Sequence, residues 1–184
     1  MLCAPSPETS GDYESQVHCP GSSARHNGQS ASFTALNGLS QQLLIRAALG
    51  DARARLGTVM EAHGTGTALG DPIEVSSIAA VSAGDSSEAC HIFGIKGNVG
   101  HTESTAGVAN VVEVAGLLCW VETAVNVQLR ALNPQVSQVR AEALEMPADA
   151  HPISSARAQF GGASSFGWSG IIAHGVFERI TEPY

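Results

Sequence analysis

Along this chain the spacing of apolar residues changes several times, and each change marks an expected element. Residues 1 to about 32 are rich in Ser, Gly, Pro and Asn and show almost no apolar periodicity, so they read as loop or disorder with little share in a core. From Ser40, read as an N-cap, the run SQQLLIRAALGDA sets Leu43, Ile45, Ala47, Ala48 and Leu49 at near-helical spacing, and Gly50 is placed to end or loosen that helix. The short apolar run TVMEA at 58–62 predicts a strand, followed by the turn-rich HGTGTALGD and then DPIEVSSIAAVSA. In this last segment Asp71 reads as the N-cap and Pro72 as the first helical residue.

The same order then recurs. HIFGI at 91–95 predicts a strand, KGNVG a loop, and residues 101–122 a long helix that is apolar on most sides. Two strand-loop-helix units imply an α/β fold with a mostly parallel sheet and covering helices. Near the C-terminus, RAQFGGASSFGWSGIIAHGVFERI holds two β-rich runs around a glycine-rich bend, read as a final antiparallel pair. Residues 133–152, with three prolines, read as a surface connection.

At 184 residues and 43% hydrophobic content the chain can form one domain with a real core. The net charge of −8 and only nine Lys plus Arg leave no basic face for a phosphate backbone, which excludes nucleic acid as a partner. Cys3, Cys19, Cys90 and Cys119 are scattered, without the close pairs of a zinc ribbon or the density of a disulfide scaffold, so no metal is expected and a reducing compartment is. The beginning has acidic residues and no apolar segment of secretory type, and the most apolar stretch, 106–121, is interrupted by Asn110 and Glu113. These features point to the cytoplasm or an organelle interior, not to secretion or a membrane.

Three glycine-rich segments carry the candidate chemistry. In Glu61-Ala62-His63-Gly64-Thr65-Gly66-Thr67 a histidine ends a predicted parallel strand, where open α/β sheets place ligand chemistry. A lone His-Gly pair would be a turn with an incidental histidine. A phosphate loop is excluded, because no Lys follows and glycines at 64, 66 and 70 do not fit the dinucleotide spacing. The second segment, Phe93 to His101, carries Lys96, the only lysine of the chain, and His101 at an expected helix start, where the positive helix end would keep its ring neutral. The third, residues 162–170, combines small residues with Trp168 and by itself reads as a tight hairpin.

Together the segments NGxSQQ near residue 37, EAHGTGTALGDPIE at 61–74, KGNVGHTESTAG at 96–107 and SSFGWSG followed by Ala173-His174 closely resemble the C-terminal half of the β-ketoacyl synthases (ketosynthases) of modular polyketide and fatty-acid synthases. The resemblance covers roughly residues 21–180, and it divides the chain into a disordered leader at 1–20 and half of a ketosynthase domain at 21–184. It implies the C-terminal half of a thiolase-like layered fold. It also implies decarboxylative Claisen condensation of acyl and malonyl thioesters, with phosphopantetheine supplied by an acyl carrier protein and no tightly bound cofactor.

Carried over by position, His63 and His101 match the two active-site histidines, and Lys96 the lysine that orders them. Thr65 and Thr67 match contacts to the phosphopantetheine arm, and Trp168 a gate whose backbone amide helps form the oxyanion hole. The chain departs from the family pattern at Gly97, where Ser is usual, and at Ile171-Ile172, where Thr-Asn is usual. None of the four cysteines has the setting of the family's nucleophile, so acyl-enzyme formation needs another segment: an N-terminal ketosynthase half or a complete synthase as partner. The junction near Gly21 reads as that of a truncated or mis-started reading frame. A non-catalytic module that binds carrier protein or a complete synthase is the alternative implied by the same fold. A hydrolase is disfavoured, since Ser164 and Ser165 lack a nucleophile elbow.

Overall fold

The computed structural model describes residues 13–27, 36–83, 89–139, 144–150, 152–153 and 159–183. Its strands are β1 (Tyr13–His26), β2 (Val59–Glu61), β3 (Cys90–Phe93), β4 (Leu144–Glu145), β5 (Phe160–Phe166) and β6 (Ile171–Pro183). They form one sheet in the order β1-β6-β5-β2-β3-β4. β5, β2, β3 and β4 pair in parallel, whereas β6 pairs antiparallel with both β5 and β1. The parallel sheet and the closing antiparallel pair are therefore both present.

Helices α1 (Gly38–Ala52), α2 (Gly70–Ser82), α3 (Lys96–Val99), α4 (Ala106–Trp120) and α5 (Pro134–Ser137) complete the fold. Strand side chains alternate between two apolar layers, as the period of two requires. Met60 and Ile92 pack with Ile45 of α1 and Val75, Ile78 and Val81 of α2. Val59, Phe93, Ala163 and Phe177 pack with Val114, Leu117 and Leu118 of α4. The result is helices, sheet, helix, with the sheet covered on both faces. Gly161 allows the close approach of α4 to β5, because a Cβ there would stand 2.9 Å from Val114 Cγ1.

Several local expectations are corrected. Residues 13–26 are strand β1 rather than loop; β1 lies at the end of the sheet and pairs on one side only, so a strict alternating pattern is not demanded of it. A register shift between His18 and Gly21 marks a bulge at Pro20, a residue that cannot donate to a ladder. The leader expected at 1–12 and the loop at 28–32 lie outside the described residues.

The N-cap of α1 is Asn37, whose side chain accepts from Ser40 N at 3.2 Å, and the helix runs through Gly50 to end at Arg53 in the left-handed region. Asp71 lies inside α2, whose N-cap is Leu69 without a side-chain cap bond; just ahead of it the Thr67 hydroxyl accepts from Gly70 N at 3.1 Å. The expected loop at 96–99 is the short helix α3, and the helix expected from residue 101 begins only at Ala106, after a 3-10 turn at Glu103–Thr105.

α4 is apolar on more sides than the chain covers. Val114 and Leu118 are fully buried, while Val108, Val112 and Trp120 are half or more exposed. Among the described residues no helix is long and apolar enough to cross a membrane.

Candidate active site

The parallel strands β2 and β3 end side by side, Glu61 opposite Phe93, and the pairing of β5 with β2 ends at Ala163, opposite Glu61. Beyond those ends the chain delivers His63, the segment 94–101 and Phe166 to one place. The rings of His63 and His101 stand edge to face with centroids 6.1 Å apart. Phe166 lies 5.1 Å from the His63 ring on another side. Three segments distant in sequence therefore converge, the bend at 162–170 included.

Hydrogen bonds set the proton positions on both rings. Phe166 N–H donates to His63 Nδ1 at 3.3 Å, and Glu103 N–H donates to His101 Nδ1 at 2.9 Å. A ring nitrogen that accepts carries no proton, so in each neutral imidazole the hydrogen sits on Nε2, which is a donor. Burial holds the His63 pKa down to about 4, assisted by the charge of Lys96 and by His101, so the ring is neutral at physiological pH. His101 is exposed and lies five residues before α4, so its orientation comes from the Glu103 bond and not from a place at the start of that helix. Glu103 adopts φ 51°, a left-handed conformation that costs a non-glycine residue about 1–2 kcal/mol.

Beside the histidines lies a layer of buried ionisable groups. Glu74 of α2 accepts from His63 N at 2.7 Å and Gly64 N at 3.1 Å, clamping the turn that aims His63. Glu61 accepts from Ile95 N at 2.8 Å and so ties the end of β2 to the start of α3. Burial raises the Glu61 pKa to about 8 and that of Glu74 to about 7, against which their backbone hydrogen bonds and Lys96 act. Lys96 is itself buried, its pKa lowered by desolvation and supported by Glu61 and Glu74. Its Nζ donates to Asn110 Oδ1 at 3.1 Å. Its charge opposes protonation of His63.

The remaining candidates sit further out. Thr65 and Thr67 are exposed on the loop after β2, with the Thr67 hydroxyl accepting from Gly70 N. Trp168, 82% exposed, occupies the tip of the β5–β6 hairpin and does not pack on the histidines. Gly97 has open space where a Cβ would stand, and Ile172 is fully buried in the core, so both departures are sterically accommodated. A cleft of about 800 Å³ adjoins the site on the other side of the same loops, lined by Gly64, Gly66, Gly97, Leu129 and Leu132 among others. Among the described residues no cysteine joins the site: Cys90 starts β3 with its thiol pushed up to about 12 by burial, Cys119 lies near the far end of α4 and Cys19 is in β1. Cys3 lies outside the described residues. Among the described residues no group of His, Cys, Asp and Glu could hold a metal ion.

Roles for Glu61, Glu74 and Asn110 had not been assigned from the sequence. A signal was present: each is a polar residue in or beside an apolar run, and polar groups at such positions need a partner.

The buried ionisable groups predict how stability depends on pH. Glu61 and Glu74 hold their protons when folded up to about 8 and 7, whereas they lose them near 4.5 when unfolded, so their contribution is full below about 4.5 and is lost as pH rises through 7 and 8. His63 and His174 act oppositely: both are held near 4 by burial against an ordinary 6.5, so their contribution is present above 6.5 and is lost as pH falls toward 4. Between about 4.5 and 6.5 the two pairs offset each other. Melting temperature is expected to fall from pH 6.5 to 9, and Glu61→Gln to flatten that alkaline limb. A limb as steep in Glu61→Gln as in the wild type would show that Glu61 is not its source.

Residues 18–125 match the family model described as beta-ketoacyl synthase, C-terminal domain. The chain is 37% identical over 172 residues to the erythronolide synthase EryA3 of Saccharopolyspora erythraea, covering 88% of this chain and 5% of that protein. It is 38% identical over 168 residues to the polyketide synthase GfsA of Streptomyces halstedii, covering 89% of this chain and 2% of that one. Among solved structures, the oxazolomycin ketosynthase domain OzmH KS7 of Streptomyces albus superposes with a TM-score of 0.81 at 30% identity, covering 90% of this chain and 30% of that chain. The ketosynthase from module 1 of the bacillaene synthase of Bacillus amyloliquefaciens gives 0.81 at 26% identity, with 89% and 30% covered. The chain thus spans under a tenth of the curated relatives named here and about a third of these ketosynthase chains.

Proposed function

Because the chain belongs to the β-ketoacyl synthase family, matching its C-terminal domain over residues 18–125, we propose that it supplies the histidine half of a polyketide-type condensation site. The observation that carries this reading is the pair of facing imidazoles, 6.1 Å between centroids, each with Nδ1 occupied by a backbone N–H. Two such rings present Nε2–H donors, which suit a developing oxyanion and would oppose it if the tautomers were reversed.

The substrate is a malonyl thioester on the phosphopantetheine arm of an acyl carrier protein. Loss of CO₂ breaks the bond between the carboxyl carbon and the α-carbon, and the electron pair passes into the thioester as an enolate. His63 and His101 stabilise that enolate oxygen through Nε2–H. The α-carbon then attacks the acyl thioester carbonyl, and the thiolate that held the acyl group leaves. Burial keeps His63 neutral, and the positive charge of Lys96, which does not touch substrate, assists it. Thr65, Thr67 and the backbone at Trp168 line the approach of the arm, and their exposed positions are compatible with contact to a large, polar carrier.

The acyl-accepting cysteine belongs to the N-terminal half of the domain, which is the partner of this chain. Incubated alone with acyl and malonyl carrier proteins, the chain is expected to form no covalent acyl adduct and no β-ketoacyl product by mass spectrometry. Supplied with the cysteine-bearing half, it is expected to form both. Stoichiometric acylation of Cys3, Cys19, Cys90 or Cys119 in the lone chain, or no product in the completed one, overturns the proposal.

A further inference from the structure

The geometry points to Asn110 as a positioning residue that staples the ends of β2 and β5 and thereby holds His63 as an Nε2–H donor. This rests on the reading of His63 given above. Asn110 is fully buried in the second turn of α4. Its Nδ2 donates to Ala62 O at 3.2 Å and to Ser164 O at 2.8 Å, and its Oδ1 accepts from Lys96 Nζ at 3.1 Å. Both amide hydrogens are therefore spent, and the ammonium decides which way the amide faces, since a cation requires the oxygen.

The placement of the two carbonyls gives the contact its purpose. The parallel ladder between β2 and β5 ends at Glu61 and Ala163. Ala62, just past β2, and Ser164, within β5, are the next residues along, so the Asn110 amide continues the cross-link one position beyond the last backbone pair. Immediately afterwards the two chains deliver His63 and Phe166, whose Nδ1 and N–H meet at 3.3 Å. That distance is past the usual range for a strong bond, so a small splaying of the strand ends would break it. Once Nδ1 loses its donor, the neutral ring is free to move its proton there, leaving a lone pair on Nε2 where an oxyanion needs a hydrogen. Lys96 thus acts twice, orienting the staple and opposing protonation of the ring it serves.

The test is tautomer-resolved NMR of the full chain labelled with ¹⁵N in histidine, alongside Asn110→Asp and Asn110→Ala. Aspartate keeps the volume and the bond from Lys96 but cannot donate to the two carbonyls; alanine removes every contact. In the wild type His63 should show a bare Nδ1 and a protonated Nε2. In both variants the Nδ1–H form should become populated, and the Phe166 amide should exchange at least ~10-fold faster, the loss of about 1.4 kcal/mol of protection. The ring of His174, bonded to Ser164 Oγ at 3.0 Å and buried, should not change, which separates loss of the staple from general loosening.

A wild-type His63 with its proton on Nδ1 removes the donor reading and this inference together. A wild-type Nε2–H ring that is unaltered in both variants overturns the inference alone. A measurement on the unaltered chain guards against variants that fail to fold. The Asn110 side-chain amide protons should be protected from exchange and show through-bond coupling to the carbonyls of Ala62 and Ser164. Freely exchanging Asn110 amide protons overturn the staple whatever the variants do.

Discussion

His63→Ala, made in a ketosynthase completed by the cysteine-bearing half, is expected to slow malonyl decarboxylation by about 10²–10³-fold, the usual cost of deleting one preorganised oxyanion donor. Binding of the carrier should change little, because the lost hydrogen bond strengthens only as charge moves onto the enolate oxygen; the loss belongs in kcat. Acylation of the cysteine by an acyl donor should survive better than decarboxylation, since no enolate forms in that step. His63→Gln can restore an N–H and should recover part of the rate. Release of labelled CO₂ measures all of this directly. A decarboxylation rate within threefold of the wild type in His63→Ala would remove that ring from the mechanism.

The largest loss of stability is expected at Leu118, on the face of α4 that meets β5. Leu118 is fully buried with Val114, against Gly161 and Ala163, where no side chain is free to fill the space left by truncation. Leu118→Ala should therefore cost about 2–5 kcal/mol, comprising lost transfer free energy and an unfilled cavity. Val112 lies on the opposite side of the same helix, half exposed, and Val112→Ala should stay within about 0.5 kcal/mol in the isolated chain. Urea unfolding of both variants decides the matter. Equal losses at the two sites would mean that the outer face of α4 is packed in solution.

Much of the site was legible because its chemistry is written locally. His63, Lys96 and His101 lie in glycine-rich segments that follow strands, and both the turn residues and the motif spacing are properties of contiguous sequence. The strands β2 and β3, the helices α1 and α2 and the hairpin of β5 and β6 could be read for the same reason: each declares itself through its own period or its own turn. The helix boundaries were less exact: Asn37 caps α1 in place of the equally plausible Ser40, and α2 begins after Leu69, ahead of Asp71 and without a side-chain cap.

β1 had no such local signal. Its fourteen residues are strand because β6 pairs with them on both sides of the bulge, a reason found 145 residues or more further along the chain. The same holds for the layer beside the histidines. Glu61, Glu74, Lys96 and Asn110 are polar residues scattered over one strand end and three helices, and only their burial in one place makes partners of Lys96 and Asn110 and displaces the pKa values of the two carboxyls. His101 illustrates the difference within a single residue. Its presence beside a glycine turn was plain in the sequence, but its tautomer depends on the backbone of Glu103 in a left-handed turn.

By itself, then, the sequence determined the family, the parallel α/β plan and which histidines to watch, because periodicity and motifs are encoded by neighbours along the chain. The tertiary structure alone decided which nitrogen of each ring carries the proton, which carboxyls are buried and where the edge strand runs. Those properties depend on desolvation and on hydrogen bonds between distant segments, and neither exists until the chain has folded.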